Sequence, residues 1–142
     1  MDWSLGKSTK GKIVHKKWLI YGATGYTGRL IATEAIKRGL SPVLAGRSKE
    51  SLSQLASETG LEYRQFDLSQ RIIIAENLKD IDVVLHCAGP FSATAKPMMA
   101  ACLYSQTHYL DITGEIDVFQ HAKLLDKSAM NAGVILCPGV GF

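Results

Sequence analysis

The sequence predicts a three-layer α/β fold built on a doubly wound parallel sheet of six strands, order 3-2-1-4-5-6. Three observations predict it. Short apolar runs alternate with longer segments of helical period, six of the first and five of the second. Runs one, four and six are continuously apolar, as parallel strands covered on both faces must be. The first run also ends in regularly spaced glycines before a helical stripe begins. A flavodoxin-like sheet is the rival, but it needs only five strands, and the strand count favours the six-stranded form.

The elements follow in order. "WLIYG" (18–22) reads as a buried strand. Gly28, Ile31, Ala32, Ala35 and Ile36 then recur at helical spacing, with Gly39 placed as a C-terminal cap. "PVLAG" (42–46) is strand two, and Leu52, Leu55, Ala56 and Thr59 form the next stripe, closed by Gly60. "EYRQFD" (62–67) alternates as strand three. Ser69 is placed to cap a short helix carrying Ile72, Ala75 and Leu78. "DVVLHCA" (82–88) is strand four. Pro97 fits a first helical turn, where its missing N–H is not needed, and Met98, Ala101, Cys102 and Ser105 line that helix. "HYLDI" (108–112) is strand five. Val118, Phe119, Ala122, Leu125 and Ala129 predict one longer helix ended by Gly133, before strand six, "VILC" (134–137).

Bulk properties narrow the class. A chain of 142 residues suffices for one domain with a real core and is short for two. It is 46% hydrophobic and 20% charged, the balance of a globular protein. Much of the net charge of +3 sits in the first seventeen residues, where Lys7, Lys10, Lys12, Lys16 and Lys17 oppose only Asp2. Residues 1–14 are expected to form a flexible tail and 15–142 the domain. The start has no apolar core of a signal peptide, and no long basic run with interleaved aromatics points to nucleic acid. No apolar stretch is long enough for a membrane span. Cys87, Cys102 and Cys137 are scattered and odd in number, with no CxxC pair. They read as buried hydrophobes in a reducing, cytoplasmic setting rather than as a disulfide framework or zinc site.

The glycines carry the functional signal. Gly22, Gly25 and Gly28 lie between the first strand and the first helix, the place of a phosphate-binding loop. Gly22 permits the turn out of the strand, Gly25 leaves room for a pyrophosphate, and Gly28 lets helix and sheet pack closely. Unpaired N–H groups at the helix start, and its dipole, then meet the negative charge. Thr24 and Thr27 offer hydroxyl donors. The spacing is GxxGxxG, and no GK[ST] of a Walker loop follows.

The end of strand two discriminates between cofactors. NAD sites place Asp or Glu there to hold the ribose 2′-hydroxyl. Here "LAGRSKE" offers Arg47, whose planar fork matches a 2′-phosphate, and Ser48, which adds a hydroxyl. NADP is therefore expected in preference to NAD. Asp67 is a candidate for the adenine side, with an Asx turn as its alternative. Ala88 and Gly89, in "CAGPF" (87–91), fall where backbone passes close to the ribose. No catalytic residue is assigned. Asp111, Thr113, Gly114 and Glu115 stand at a strand end, but helix capping accounts for Asp111 or Thr113, and a first-turn dipole role for Glu115. No tyrosine is followed four residues later by lysine, and neither GxSxG nor HExxH occurs.

"YGATGYTGRL", "PVLAGRS", "CAGPF" with "MMAACL", "THYLDITGE" and "PGVGF" together resemble the N-terminal domain of saccharopine dehydrogenase-like oxidoreductases, a group that includes trans-acting enoyl reductases. The resemblance runs from about Lys17 to the last residue. It implies a Rossmann fold, NAD(P) in the crevice, and contacts at Gly22, Thr24, Gly25, Tyr26, Thr27, Arg47 and Gly89. Such proteins carry a substrate domain after the "PGVGF" region, so this chain is expected to lack it and to be incomplete for catalysis on an unidentified small molecule. Apolar surface left by that domain would favour a homo-oligomer. A cofactor-sensing module like the NmrA-type regulators, and an interaction remnant that binds nothing, stay open.

Overall fold

Four apolar residues in succession leave the central strand no solvent face. In the computed structural model, which describes Gly6–Lys7, Ile13–Val14 and residues 16–141, β1 (Trp18–Tyr21) has a parallel partner on each side, and Leu19 and Ile20 are fully buried. On one side lies β2 (Val43–Gly46), with β3 (Tyr63–Gln65) beyond it. On the other are β4 (Val83–His86), β5 (His108–Asp111) and β6 (Leu136–Cys137). The order is β3-β2-β1-β4-β5-β6, all parallel, as the sequence predicts. The reversal of strand order falls between β1 and β4, so the crevice of the fold opens above their C-terminal ends.

Helices cover the sheet unequally. α1 (Tyr26–Lys37) and α2 (Lys49–Thr59) bury Ala32, Leu52 and Leu55 against Ile20 and Leu44 on one face. α3 (Arg71–Leu78), α4 (Phe91–Ser105), α5 (Ile116–Leu124) and α6 (Asp126–Ala132) belong to the other face, whose core joins Leu19, Val84 and Tyr109 to Leu78, Met98 and Cys102. Among the described residues no helix covers the α1 face of β4 and β5. There Leu85 and Leu110 join Trp18, Leu40 and Val140 around an apolar hollow of about 230 Å³.

Gly39, Gly60 and Gly133 end helices in the left-handed region, as expected. Several local readings need correction, among them Ile36 of the α1 stripe and Phe119 of the last stripe, which are exposed. Pro97 lies inside α4, not in its first turn, because the helix starts at Phe91, where a carboxylate from a distant loop receives its first N–H groups. Ser69 does not cap α3. Its N–H and hydroxyl both bond to Asp67, and Gln70 stands at the helix start. Ile72 of the predicted α3 stripe is exposed, and Ile74 packs in its place. The single helix predicted from Val118 to Ala129 is divided at Leu125, whose N–H is shared between the His121 and Ala122 carbonyls. Val118, Ala122 and Ala129 remain buried across the break, so the stripe persists although the helix does not.

Gly6–Lys7 and Ile13–Val14 pair as a two-strand antiparallel ribbon. The rest of the expected tail, and Phe142 at the end of "PGVGF", lie outside the described residues.

At the N-terminal end of the sheet, charges rather than apolar contacts tie the strands together. Arg64 forks onto Asp80 at 2.7 and 2.8 Å and reaches Glu62 at 2.7 Å, while Lys17 pairs with Asp80 and Glu62. The Lys17 N–H donates to Asp82 at 2.7 Å, fixing β1 to the turn before β4. Arg64 first, then Lys17, holds the Asp80 carboxyl well below the usual carboxylate range, against the opposing effect of burial. A depressed folded-state value adds stability above the unfolded value and loses it on acidification. The urea midpoint of the native chain is therefore expected to fall as pH drops below about 4, and to fall less steeply in Asp80→Asn, which starts lower at pH 7. Parallel pH profiles would contradict this.

Candidate functional site

β1 leaves the sheet through Tyr21 and turns at Gly22, whose φ of +82° suits glycine. The Gly22 and Ala23 N–H groups both donate to the Ala45 carbonyl of β2, at 2.9 and 3.1 Å, which pins the turn to the neighbouring strand. A Cβ on Gly22 would lie 2.9 Å from the backbone at Cys87 and Ala88, so the exit of β4 passes directly behind it. A Cβ on Gly28 would lie 2.2 Å from the Gly22 carbonyl oxygen. Both glycines are steric requirements of the fold. Gly25 is different: its φ is −73°, and a Cβ there would meet nothing closer than 3.4 Å.

Above this loop lies a crevice of about 540 Å³. Its floor and near wall are Tyr21, Gly22, Thr24 and Gly25; Gly46, Arg47 and Ser48 form the side at the end of β2; Cys87, Ala88 and Gly89 form the side at the end of β4. The structure thus brings together Gly22, Thr24, Gly25, Arg47, Ser48, Ala88 and Gly89 of the predicted residues. Tyr26 and Thr27 stand in the first turn of α1 just outside the lining, with Tyr26 exposed, and Gly28 is buried beneath it. Asp67 does not line the crevice. Its carboxylate accepts the N–H and hydroxyl of Ser69, the Asx turn given as its alternative. Sequence reasoning missed Tyr21, Gly46 and Cys87, all at strand ends where apolar patterning reads only as core.

Three helix starts border the crevice, and they are finished differently. α2 is capped by Ser48, whose hydroxyl oxygen accepts the Ser51 N–H at 3.2 Å. At α4, Glu115 accepts the N–H groups of Phe91 and Ser92, at 3.1 and 2.9 Å. α1 has Gly25 at its cap position, no side-chain cap and no acid in its first turn. Arg29 pulls on the Thr24 carbonyl at 3.3 Å and so helps to hold the loop.

Glu115 corrects the sequence reading. It occupies the cap position of α5, and its carboxylate serves α4 instead of its own helix; Asp117 is the first-turn acid of α5. Asp111 is fully buried and accepts from the Thr113 and Gly139 N–H groups, at 3.0 and 2.9 Å, and from the Tyr109 hydroxyl. Thr113 in turn accepts the Glu115 N–H at 3.0 Å.

Tyr21, Cys87 and His86, at the strand ends below the crevice, are held in their neutral forms. Burial pushes the Tyr21 phenol up to about 12, and its hydroxyl donates to the Phe66 carbonyl at 2.9 Å. Burial, then Asp111, pushes the Cys87 thiol to about 12. Burial takes His86 down to about 3. Because the Thr94 hydroxyl donates to the Ala88 carbonyl at 2.6 Å, His86 Nε2 is the donor toward Thr94 at 2.8 Å, and Nδ1 is left without a partner among the described residues. Arg47 is exposed at the mouth. Its carbonyl accepts from Gln65 at 3.0 Å, and no described carboxylate forms an ion pair with its guanidinium. Among the described residues no group of three His, Cys, Asp or Glu is placed to hold a metal ion, and no helix is long and apolar enough to cross a membrane.

Comparison with known proteins agrees with this geometry. The NAD(P)H-binding family matches residues 22–131, and the chain belongs to that family. It is 30% identical over 147 residues to a mouse saccharopine dehydrogenase-like oxidoreductase, covering 87% of this chain and 34% of the relative. It is 31% identical over 132 residues to a trans-acting enoyl reductase of Mycobacterium tuberculosis, covering 87% of this chain and 32% of the relative. The chain therefore spans about a third of the length of these curated relatives. Among solved structures, saccharopine dehydrogenase (L-Glu forming) of Saccharomyces cerevisiae superposes with a TM-score of 0.75 at 17% identity, over 89% of this chain and 27% of that one. A Citrobacter triphenylmethane reductase complexed with NADP(H) superposes with a TM-score of 0.64 at 16% identity, over 82% and 46% of the two chains. These two share the Rossmann fold. The chain is an NAD(P)-binding domain related to the saccharopine dehydrogenase-like oxidoreductases.

Gly28→Ala tests the packing of the loop. With backbone 2.2 Å from the new Cβ, the variant is expected to lose about 1–3 kcal/mol or more in urea denaturation. Gly25→Ala is expected to remain close to native stability, and an equal loss in both would contradict the distinction drawn between them.

Proposed function

We propose that the crevice binds NADP, with the pyrophosphate on the start of α1 and the adenosine 2′-phosphate at Arg47. The observation that carries this reading is the uncapped start of α1 beside two capped ones. Orphan N–H groups and the positive end of the dipole are directed where a phosphate would lie. Gly25 supports it independently: the fold does not require glycine there, and the missing side chain leaves room in the crevice. Thr24 and Thr27 offer hydroxyls to the phosphates, and the backbone of Ala88 and Gly89 forms the wall along the ribose. Arg47, with no carboxylate on it, offers a bidentate fork to a 2′-phosphate. Ser48 lines the same corner; its oxygen accepts the Ser51 N–H and its hydroxyl donates to Ser51 Oγ at 3.1 Å, a bond that a phosphate would replace.

The bound dinucleotide supplies hydride transfer, and the chain's residues supply binding and orientation. We read the chain as the cofactor-binding part of an oxidoreductase of the saccharopine dehydrogenase-like kind, acting on a small-molecule substrate. The neutral Tyr21 and Cys87, and the fully bonded Asp111, suit a crevice wall rather than an acid–base centre. Three free cysteines fit a reducing, cytoplasmic setting.

Thermal denaturation with NADP, NADPH, NAD and NADH tests the reading. Ligand at a hundredfold excess over its Kd stabilises by about 2.7 kcal/mol, a shift of several degrees in a domain of this size. NADP and NADPH are expected to give the larger shifts. Arg47→Asp is expected to weaken NADPH by about tenfold to a hundredfold, the value of a charge-assisted contact, and to weaken NADH far less. Equal losses would overturn the Arg47 assignment, and no shift with any of the four would overturn the site.

A further inference from the structure

Glu115 is spent on a helix other than its own, and the position of that helix gives the contact a consequence. In a doubly wound fold each half of the sheet takes one half of the dinucleotide. Arg47 marks the adenosine half beside β2, which leaves the nicotinamide half to the ends of β4 and β5. There the crevice wall runs Cys87–Ala88–Gly89, and through Pro90 it becomes α4. The start of α4 therefore borders the nicotinamide half, with the start of α5, after β5, beside it.

A bare helix start carries about half a positive charge. The oxidised nicotinamide ring carries a full positive charge and the reduced ring none. A bare α4 would disfavour the oxidised form. Glu115 places a carboxylate on the N–H groups of Phe91 and Ser92, at 3.1 and 2.9 Å, and, standing also at the uncapped start of α5, cancels the positive ends of the two helices. Of the other charged groups at this end, Lys96 and Asp117 are exposed and opposite in sign, and Asp111, buried among three neutral donors, is common to the native chain and its variants.

We infer that Glu115 sets the redox preference of the site: by cancelling the positive charge at the α4 terminus, it raises affinity for the oxidised dinucleotide relative to the reduced one. Glu115 is here a specificity-determining residue acting through charge. The inference rests on the dinucleotide reading and adds to it a residue that discriminates between ligands differing by one hydride.

Calorimetric titration of the whole chain with NADP⁺ and with NADPH tests it through the ratio of the two Kd values. Glu115→Gln keeps a carbonyl for one of the two N–H groups and removes the charge. It is expected to raise the ratio Kd(NADP⁺)/Kd(NADPH) by about threefold, the size of one partly exposed charge contact. Ser92→Lys, on an exposed side chain that folding does not require, adds positive charge at the same terminus and is expected to move the ratio in the same direction. Glu115→Asp keeps the charge and the native ratio. Glu50→Gln, in the first turn of α2 on the adenosine side, is expected to change both affinities together. A cap with only a structural role would weaken both ligands equally. An unchanged ratio in Glu115→Gln and Ser92→Lys would therefore overturn the inference while leaving the dinucleotide site intact. Native chain that binds neither ligand would overturn both.

Discussion

The contact between Gly28 and the Gly22 carbonyl governs the architecture above the sheet. With no Cβ at position 28, the first turn of α1 seats directly on the turn leaving β1; with no Cβ at position 22, the β4 exit closes in behind. Three chain segments thus meet through backbone alone. Side chains at these two positions would drive the layers apart and cost the close packing that cores require. The same absence of side chains puts polar backbone on the crevice floor, so the close packing here and the open backbone of the crevice have one origin.

The two ends of the sheet solve the polar problem differently. At the N-terminal end, Lys17, Glu62, Arg64 and Asp80 form partly exposed ion pairs, where solvent shares the cost of charge. At the C-terminal end, His86, Asp111 and Thr113 are buried. Burial there requires partners, and Asp111 receives three: a residue on its own strand, the loop that follows, and the turn after β6. That knot holds the β5–α5 loop in place and delivers Glu115 to α4. The crevice wall at Gly89 is consequently supported by a chain of hydrogen bonds starting on a neighbouring strand. His86 accepts desolvation by remaining neutral, with Nε2 bound to Thr94.

Glycine spacing, the apolar runs and Arg47 after strand two are local features, and each remained legible because its physical cause is local. A left-handed helix end needs glycine wherever it occurs, and Gly60 and Gly133 show it. Among the misread positions, some have a distant cause and some a local competitor. Pro97 was placed in a first turn because nothing local shows that Glu115 starts the helix further back. Ser69 has the chemistry of a cap, yet Asp67 two residues earlier offers its N–H and hydroxyl a nearer acceptor. Cys87 reads as core because strand patterning does not tell a residue buried under a helix from one at the lip of a crevice, whereas Tyr21 is core and also underlies the crevice.

The strand sequence, its parallel order and the position of the glycine loop were determined by the sequence alone, since periodicity, turn chemistry and the handedness of βα units act over short stretches of chain. Which helix start stays open and which is closed was decided only by the tertiary structure. Ser48 closes α2 from the adjoining residue, but the carboxylate on α4 comes from the far side of β5, and a contact between residues 91 and 115 exists only once two parallel strands bring their loops together.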